Sequence, residues 1–234
     1  MKQAGGRQMV LDLPLRTAQG RDDFLVTQSN RAAVEVIDRY PDWPTYAMAI
    51  TGPAGAGKSH LLEVWRRLSG ASLVQAAEIS EATVPALMAT GALAIDDAPG
   101  EELDERGLFH LLNVARQQGG RVLIASSSAP VTWNSKLPDL ASRLKALPVA
   151  ELGPPDDDLL RGVLIKHFAD RQLAVDATVI AYLLVRMPRS LDAARALVAA
   201  IDGQALQEKA EITRSFVARV LQDFAAPELF GGED

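Results

Sequence analysis

Hydrophobic positions along this chain change their spacing twice. A first apolar run, Met9 to Leu15 inside "GRQMVLDLPLRT", stands between a Gly-rich start and a polar stretch. It is far too short to cross a membrane. From "SNRAAVEVIDRY" the spacing becomes helical, with Ala33, Val34, Ile37 and Tyr40 on one face and Ser29 or Asn30 as the cap. Short unbroken apolar runs then alternate with helical stretches. "TYAMAIT" (45–51), "ASLVQ" (71–75), "ALAIDD" (92–97), "RVLIASSS" (121–128) and "ALPVAEL" (146–152) predict five strands. Between them "KSHLLEVWRRL", "ERGLFHLLNVARQQ" and "LASRLK" predict helices. Such alternation predicts an α/β fold whose parallel sheet is covered on both faces.

The second change comes at "GPPDDD" (153–158), beyond which the strand signal stops. "DDLLRGVLIKHFADRQ", "DATVIAYLLVRM", "SLDAARALVAAIDGQAL" and "TRSFVARVLQDF" all carry apolar residues at helical spacing, with Asp156, Asp176, Ser190 and Thr213 as caps. The expected organisation is a flexible arm over 1–20, an α/β domain over 21–153, a small all-α lid over 154–225 and a mobile tail over 226–234.

Composition narrows the chemistry. The chain has 234 residues and no Cys, which excludes disulfides, thiolate metal sites and Cys nucleophiles. Its three histidines, His60, His110 and His167, are far apart in sequence, which speaks against a His-rich metal site. No membrane span or signal-peptide h-region is apparent, so a cytoplasmic protein is expected. Net charge is −6, and from Pro154 onward nine Lys/Arg face thirteen Asp/Glu. Strong autonomous DNA binding is therefore not expected.

Against that background one motif stands out. "GPAGAGKS" (52–59) fits G-x-x-x-x-G-K-[ST], after a predicted strand and at the start of a predicted helix. Gly52, Pro53, Ala54, Gly55, Ala56 and Gly57 would wrap a phosphate chain with inward-pointing N–H groups. Lys58 would reach the β- and γ-phosphates, and Ser59 would bind Mg²⁺. The plainer alternative is a Gly-rich strand-to-helix turn. About forty residues on, Asp96 at a strand end would hold Mg²⁺, and Asp97 would orient the attacking water; alone, the pair reads as an acidic turn. Ser127, with Ser126 as runner-up, is the candidate γ-phosphate sensor in "LIASSSAP", or else part of an ordinary serine loop. Arg143, on "LPDLASRLK", is a candidate arginine finger for a nucleotide on a neighbouring subunit, against the alternative of an exposed arginine paired with Asp139. Arg189 in "MPRSLDAAR" would face the phosphates from the lid, or else only solubilise a helix. Together these features describe an AAA+ module: a P-loop NTPase core followed by a helical lid.

The order and wording of the motifs resemble the DnaA branch of AAA+ proteins, from Gln8 to about Phe224. "DDFLVTQSNRAAVEVI" looks like that branch's N-terminal motif, which implies that Phe24 and Val26 help frame the adenine. "GPAGAGKSHLL", which adds His60 to the nucleotide-binding set, and "LAIDD" are close to the branch's versions. "LPDLASRL" is similar to the finger motif of the Hda-type regulators, DnaA homologues that inactivate the replication initiator. The resemblance implies ADP or ATP with Mg²⁺, DnaA as a partner, and side-by-side assembly, homo-oligomeric or with that partner. It also implies that "QMVLDL" docks on the DNA-loaded β sliding clamp through Gln8, Met9, Leu11 and Leu13; the alternative is an arm folded back on the core. Unlike in DnaA, neither a helix-turn-helix nor a basic module is expected after the lid. Ser127 departs from the branch, which usually carries Asp there, so efficient self-hydrolysis is not implied. A helicase-loader or DnaA-like ATPase that remodels DNA and a nucleoside kinase are the competing functions.

Overall fold

A computed structural model describes residues 25–225. Helix α1 (Arg31–Asp38) leads into β1 (Ala47–Thr51), and α2 (Lys58–Ser69) follows the glycine-rich turn. Then come β2 (Ser72–Gln75), α3 (Val84–Leu87), β3 (Ala92–Ala98), α4 (Glu105–Gln118), β4 (Arg121–Ser126), α5 (Pro138–Ala146) and β5 (Val149–Glu151). The strands form one five-stranded sheet in the order β2-β3-β4-β1-β5, and each recorded pairing is parallel. The expected parallel sheet is therefore present. The short α3 and two 3-10 turns, Ala76–Glu78 and Pro130–Thr132, carry no strong apolar period and were not foreseen.

Alternation along the strands sorts the core into two layers. Ala47, Ala49, Leu93, Ile95, Val122 and Ile124 face α3, α4 and α5. Met48, Ile50, Ala92, Ala94, Leu123 and Ala125 face α1 and α2. Burial on both faces explains why the strands read as continuous apolar runs. On the α1–α2 side, Trp43 and Trp65 stack at 5.2 Å with Tyr40 edge-on to both.

The four remaining helices are α6 (Asp157–Asp170), α7 (Ala177–Arg186), α8 (Leu191–Glu208) and α9 (Arg214–Ala225). They enclose a third core of their own, centred on Leu160, Leu164, Phe168, Leu183, Leu197 and Val217. Asp156, Asp176 and Ser190 cap α6, α7 and α8 through side-chain acceptors, and Thr213 Oγ1 accepts from Phe216 N–H at 3.3 Å. Among the described residues no helix is long and apolar enough to cross a membrane.

One cap differs from expectation. Asn30 precedes α1, yet its side chain makes no capping bond to the helix. Buried at 3 % exposure, it accepts from Thr27 N–H and donates to Leu25 O. It therefore pins the segment ahead of the helix, and that segment walls the candidate site.

Candidate functional site

The turn between β1 and α2 owes its shape to its glycines. Gly55 and Gly57 have φ of +71° and +100°, where a side chain brings strain. A Cβ at Gly55 would collide with Ser190 Oγ, and one at Gly57 would lie 2.9 Å from Leu191 Cδ1. Leu191 N–H also donates to Gly55 O at 2.9 Å, so the start of α8 rests directly on the loop. Lys58 Nζ donates to Gly52 O at 2.8 Å and Pro53 O at 3.0 Å. Burial pushes the Lys58 ammonium below its usual pKa, against the opposing pull of Asp96, Asp97 and Asp192. This ammonium and these carboxylates thus share one local field.

The acid pair sits on an irregularity. Register between β3 and β4 shifts between Ile95 and Ala98, and Asp97 takes φ +54° while its N–H donates to Asp96 Oδ1 at 2.9 Å. A bulge at a strand end re-aims side chains, and Asp tolerates the left-handed region better than most residues. Asp96 is half-buried and Asp97 exposed. At the neighbouring strand tip, Ser126 O accepts from Gly52 N–H at 3.2 Å, so this tip abuts the loop. Ser126 Oγ is buried and occupied with Ser128, donating to its carbonyl at 2.6 Å and accepting from its N–H at 3.1 Å. Ser127 stands exposed beyond it.

A cleft of about 210 Å³ opens where this loop meets the lid. Gly55, Gly57, Lys58, Ser59 and His60 form its floor; Val163, Lys166 and His167 of α6 and Leu191, Asp192 and Arg195 of α8 form the opposite wall. An apolar annex of about 40 Å³ adjoins it through Gly57, His60, Val163 and Leu191, closed by Leu25, Asn30, Ala56, Leu152 and Leu159. Val26 does not line this annex; it packs half-buried against the α1–α2 core. Phe24, like Gln8, Met9, Leu11 and Leu13, lies outside the described residues. A glycine-shaped loop opening a helix, cations and an apolar slot form one continuous surface whose chemistry suits a nucleotide. Ser59 and Asp96 offer the hard oxygen donors that Mg²⁺ takes together with phosphate oxygens. Among the described residues no three His, Asp or Glu gather into a metal cluster of their own.

The cleft wall was not identified from sequence, although a signal exists. α6 is apolar beyond its inward stripe, since Leu159 and Val163 line the annex or the cleft while Leu160, Leu164 and Phe168 fill the lid core. A second apolar edge on a helix marks a second contact.

Two predicted arginines lie outside the cleft. Arg189 Nη1 donates to Asp157 Oδ1 at 2.6 Å and Nη2 to Pro155 O at 2.9 Å, bracing the start of α6 against the approach to α8. Arg143 is on the α4–α5 side of the sheet, opposite α2. It is half-buried, donates to Asn113 Oδ1 at 2.5 Å and Tyr46 Oη at 3.2 Å, and lies 5.0 Å over the Phe109 ring. These neutral partners stand in place of Asp139, the partner in the alternative reading. The start of α5 is fixed by Glu105, whose carboxylate accepts from Lys136 N–H and Leu137 N–H and from Ser135 Oγ.

No family model and no curated protein matches the sequence. Solved structures do. Domain III of the replication initiation protein DnaA from Thermotoga maritima superposes with a TM-score of 0.73 at 21 % identity, covering 92 % of this chain and 100 % of that one. AMPPCP-bound DnaA from Aquifex aeolicus gives 0.66 at 19 %, covering 86 % of this chain and 68 % of that one. A RuvB variant from Thermotoga maritima gives 0.66 at 15 %, covering 85 % and 70 %. At these identities the likeness shows the fold, a DnaA-like AAA+ fold with an α/β core and a helical part.

Proposed function

We propose that this chain binds an adenine nucleotide, ADP or ATP, with Mg²⁺ between its phosphate loop and its lid, and that it acts on a partner ATPase in trans. The observation that carries the trans reading is the place of Arg143. Its guanidinium is on the sheet face opposite α2, fixed by Asn113, Tyr46 and Phe109, and remote from the chain's own loop. From there it is presented to a nucleotide on an adjoining molecule, where it would stabilise charge spreading over the transferred phosphoryl group. The phosphate loop wraps the nucleotide's phosphates, the annex walled by Leu25, Leu152 and Leu159 takes the base, and Ser59 and Asp96 hold Mg²⁺. That ion, when bound, neutralises phosphate charge. Asp97 orients water, and Ser127 stands at the sensor position.

The partner follows from the resemblance and the DnaA-like fold. The chain is an Hda-type negative regulator of replication initiation: it docks on the DNA-loaded β sliding clamp through Gln8, Met9, Leu11 and Leu13 and stimulates ATP hydrolysis by DnaA. The test is DnaA ATP hydrolysis with and without this chain on DNA-loaded clamp. Arg143→Ala should lower stimulation by about 10³-fold, the scale of an arginine finger, while clamp binding persists. Removing residues 1–15 should abolish clamp pull-down. Stimulation untouched by Arg143→Ala rejects the finger; clamp binding that survives the deletion rejects the peptide. A second reading, a DnaA-like or helicase-loader ATPase remodelling DNA, draws on Asp96 and Asp97 lying within the field of Lys58. It requires substantial DNA-stimulated turnover by this chain alone.

A further inference from the structure

We infer that Gly162 of α6 keeps the annex open for a base, by giving the Leu25 side chain a notch to sit in; this rests on the reading of the annex as the base site. Gly162 is buried inside a 14-residue helix, where glycine is destabilising relative to alanine. It does not take the left-handed backbone conformation that reserves Gly55 and Gly57 for glycine, so conformation does not explain it. Space does. A Cβ at Gly162 would collide with Leu25 Cδ1 and lie 3.4 Å from Leu25 Cγ.

Leu25 both fills this notch and walls the annex, together with Leu152, Leu159 and Val163. Leu159, Gly162 and Val163 stand at i, i+3 and i+4 and share one face of α6, so the lid side of the annex carries a gap beside two apolar side chains. The backbone ahead of α1 is held in place. Leu25 O accepts from Asn30 Nδ2 at 2.8 Å, and Gly153 N–H donates to Ser29 O at 2.8 Å. Asp156 accepts from Ser29 N–H at 3.3 Å and caps α6 through Leu159 N–H at 2.8 Å. Leu25 is thus tied to the start of α6 by polar contacts and to Gly162 by packing. A methyl group at 162 leaves the Leu25 side chain two ways to turn. Turning outward exposes apolar surface to water; turning inward fills an apolar space of about 40 Å³. The inward turn is favoured, and it takes the room of a base. Gly162 lines neither the cleft nor the annex, so it is a positioning residue that acts through Leu25.

The experiment is titration of a fluorescent ADP analogue into the purified full chain, Gly162→Ala, Leu25→Ala and the double variant, with Tm measured for each. Gly162→Ala should weaken binding about tenfold. Its Tm should be equal or higher, because alanine favours the helix and only the end of a flexible side chain must move. In the Leu25→Ala background the same change should cost less than about twofold, since the side chain it displaces is gone. A tenfold loss in both backgrounds, or no loss in either, overturns the inference and leaves nucleotide binding standing. A loss that comes with a marked fall in Tm also overturns it, because the notch then serves only the packing of the lid. Failure of the unaltered chain to bind the analogue overturns the base-site reading and the inference together.

Discussion

Arg143 and Arg189 are both half-exposed arginines near helix ends, yet they have opposite kinds of neighbour. Arg143 is held by an amide, a phenol and an aromatic face, all neutral. Arg189 is held by a carboxylate at 2.6 Å. Neutral partners fix the orientation of a guanidinium and leave its charge undiminished. A carboxylate fixes it and cancels the charge locally, even though an exposed pair of this kind adds at most about 1 kcal/mol of stability. The difference teaches what each charge meets: Arg143 lies among neutral groups drawn from two other parts of the fold, whereas Arg189 braces the start of α6 against the approach to α8.

The strongest way to break this comparison acts on the cleft alone. Gly55→Val places a branched side chain at φ +71° and against Ser190. The loop must move and the α8 contact with it. Nucleotide affinity should fall by more than about a hundredfold, the loss expected when several charge-assisted bonds go together. Arg143 and its partners, on the other face of the sheet, should be unaffected. Titration of the nucleotide, with the Arg143 environment monitored through Phe109 and Tyr46 resonances, checks both halves. Equal disturbance at both sites would mean that the two regions do not act separately.

A subtler change converts one environment into the other. Asn113→Asp replaces the amide oxygen facing Arg143 with a carboxylate of nearly the same shape. Arg143 would then resemble Arg189, held and neutralised. Stimulation of the partner's ATP hydrolysis should drop about tenfold while the chain's own nucleotide affinity is unchanged, since a close opposite charge competes for the guanidinium. Undiminished stimulation would show that neutral partners are not what keeps this arginine available.

These contrasts also mark what the sequence could disclose. The sheet was legible because five short apolar runs, each closed by a polar or glycine-containing turn, leave few other arrangements. The shape of the turn between β1 and α2 was legible because its spacing has a backbone mechanism: only glycine accommodates φ +100° beside Leu191. The surroundings of Arg143 were not, because Asn113 and Tyr46 are 30 and 97 residues away and nothing local announces them. Asp139 is the obvious helical neighbour, and tertiary packing overrode it. The lid wall was hidden for a related reason. Arg189 and Arg195 are indistinguishable by composition, and only the seating of Leu191 on the loop decides which enters the cleft.

The smallest expected effect reads the electrostatics of that wall directly. His167 shares it with Lys166, Asp192 and Arg195, and burial, then Arg171, hold its pKa below the usual value of 6.5, with Lys166 and Arg195 adding to the shift and Asp170 opposing it. In the unfolded chain the imidazole regains its ordinary pKa, so between the two values the unfolded state binds more protons. Stability therefore declines as pH falls through about 6.5 and levels off below the folded pKa. His167→Gln should remove that share of the slope, on the order of a degree in Tm between pH 7.5 and 5.5. Adding nucleotide should act in the same direction, because phosphates beside Lys166 and Arg195 offset the cations that disfavour a protonated His167. The imidazole pKa, followed by NMR, should rise when the nucleotide binds; a pKa that stays still would mean the phosphates rest away from this side of the cleft.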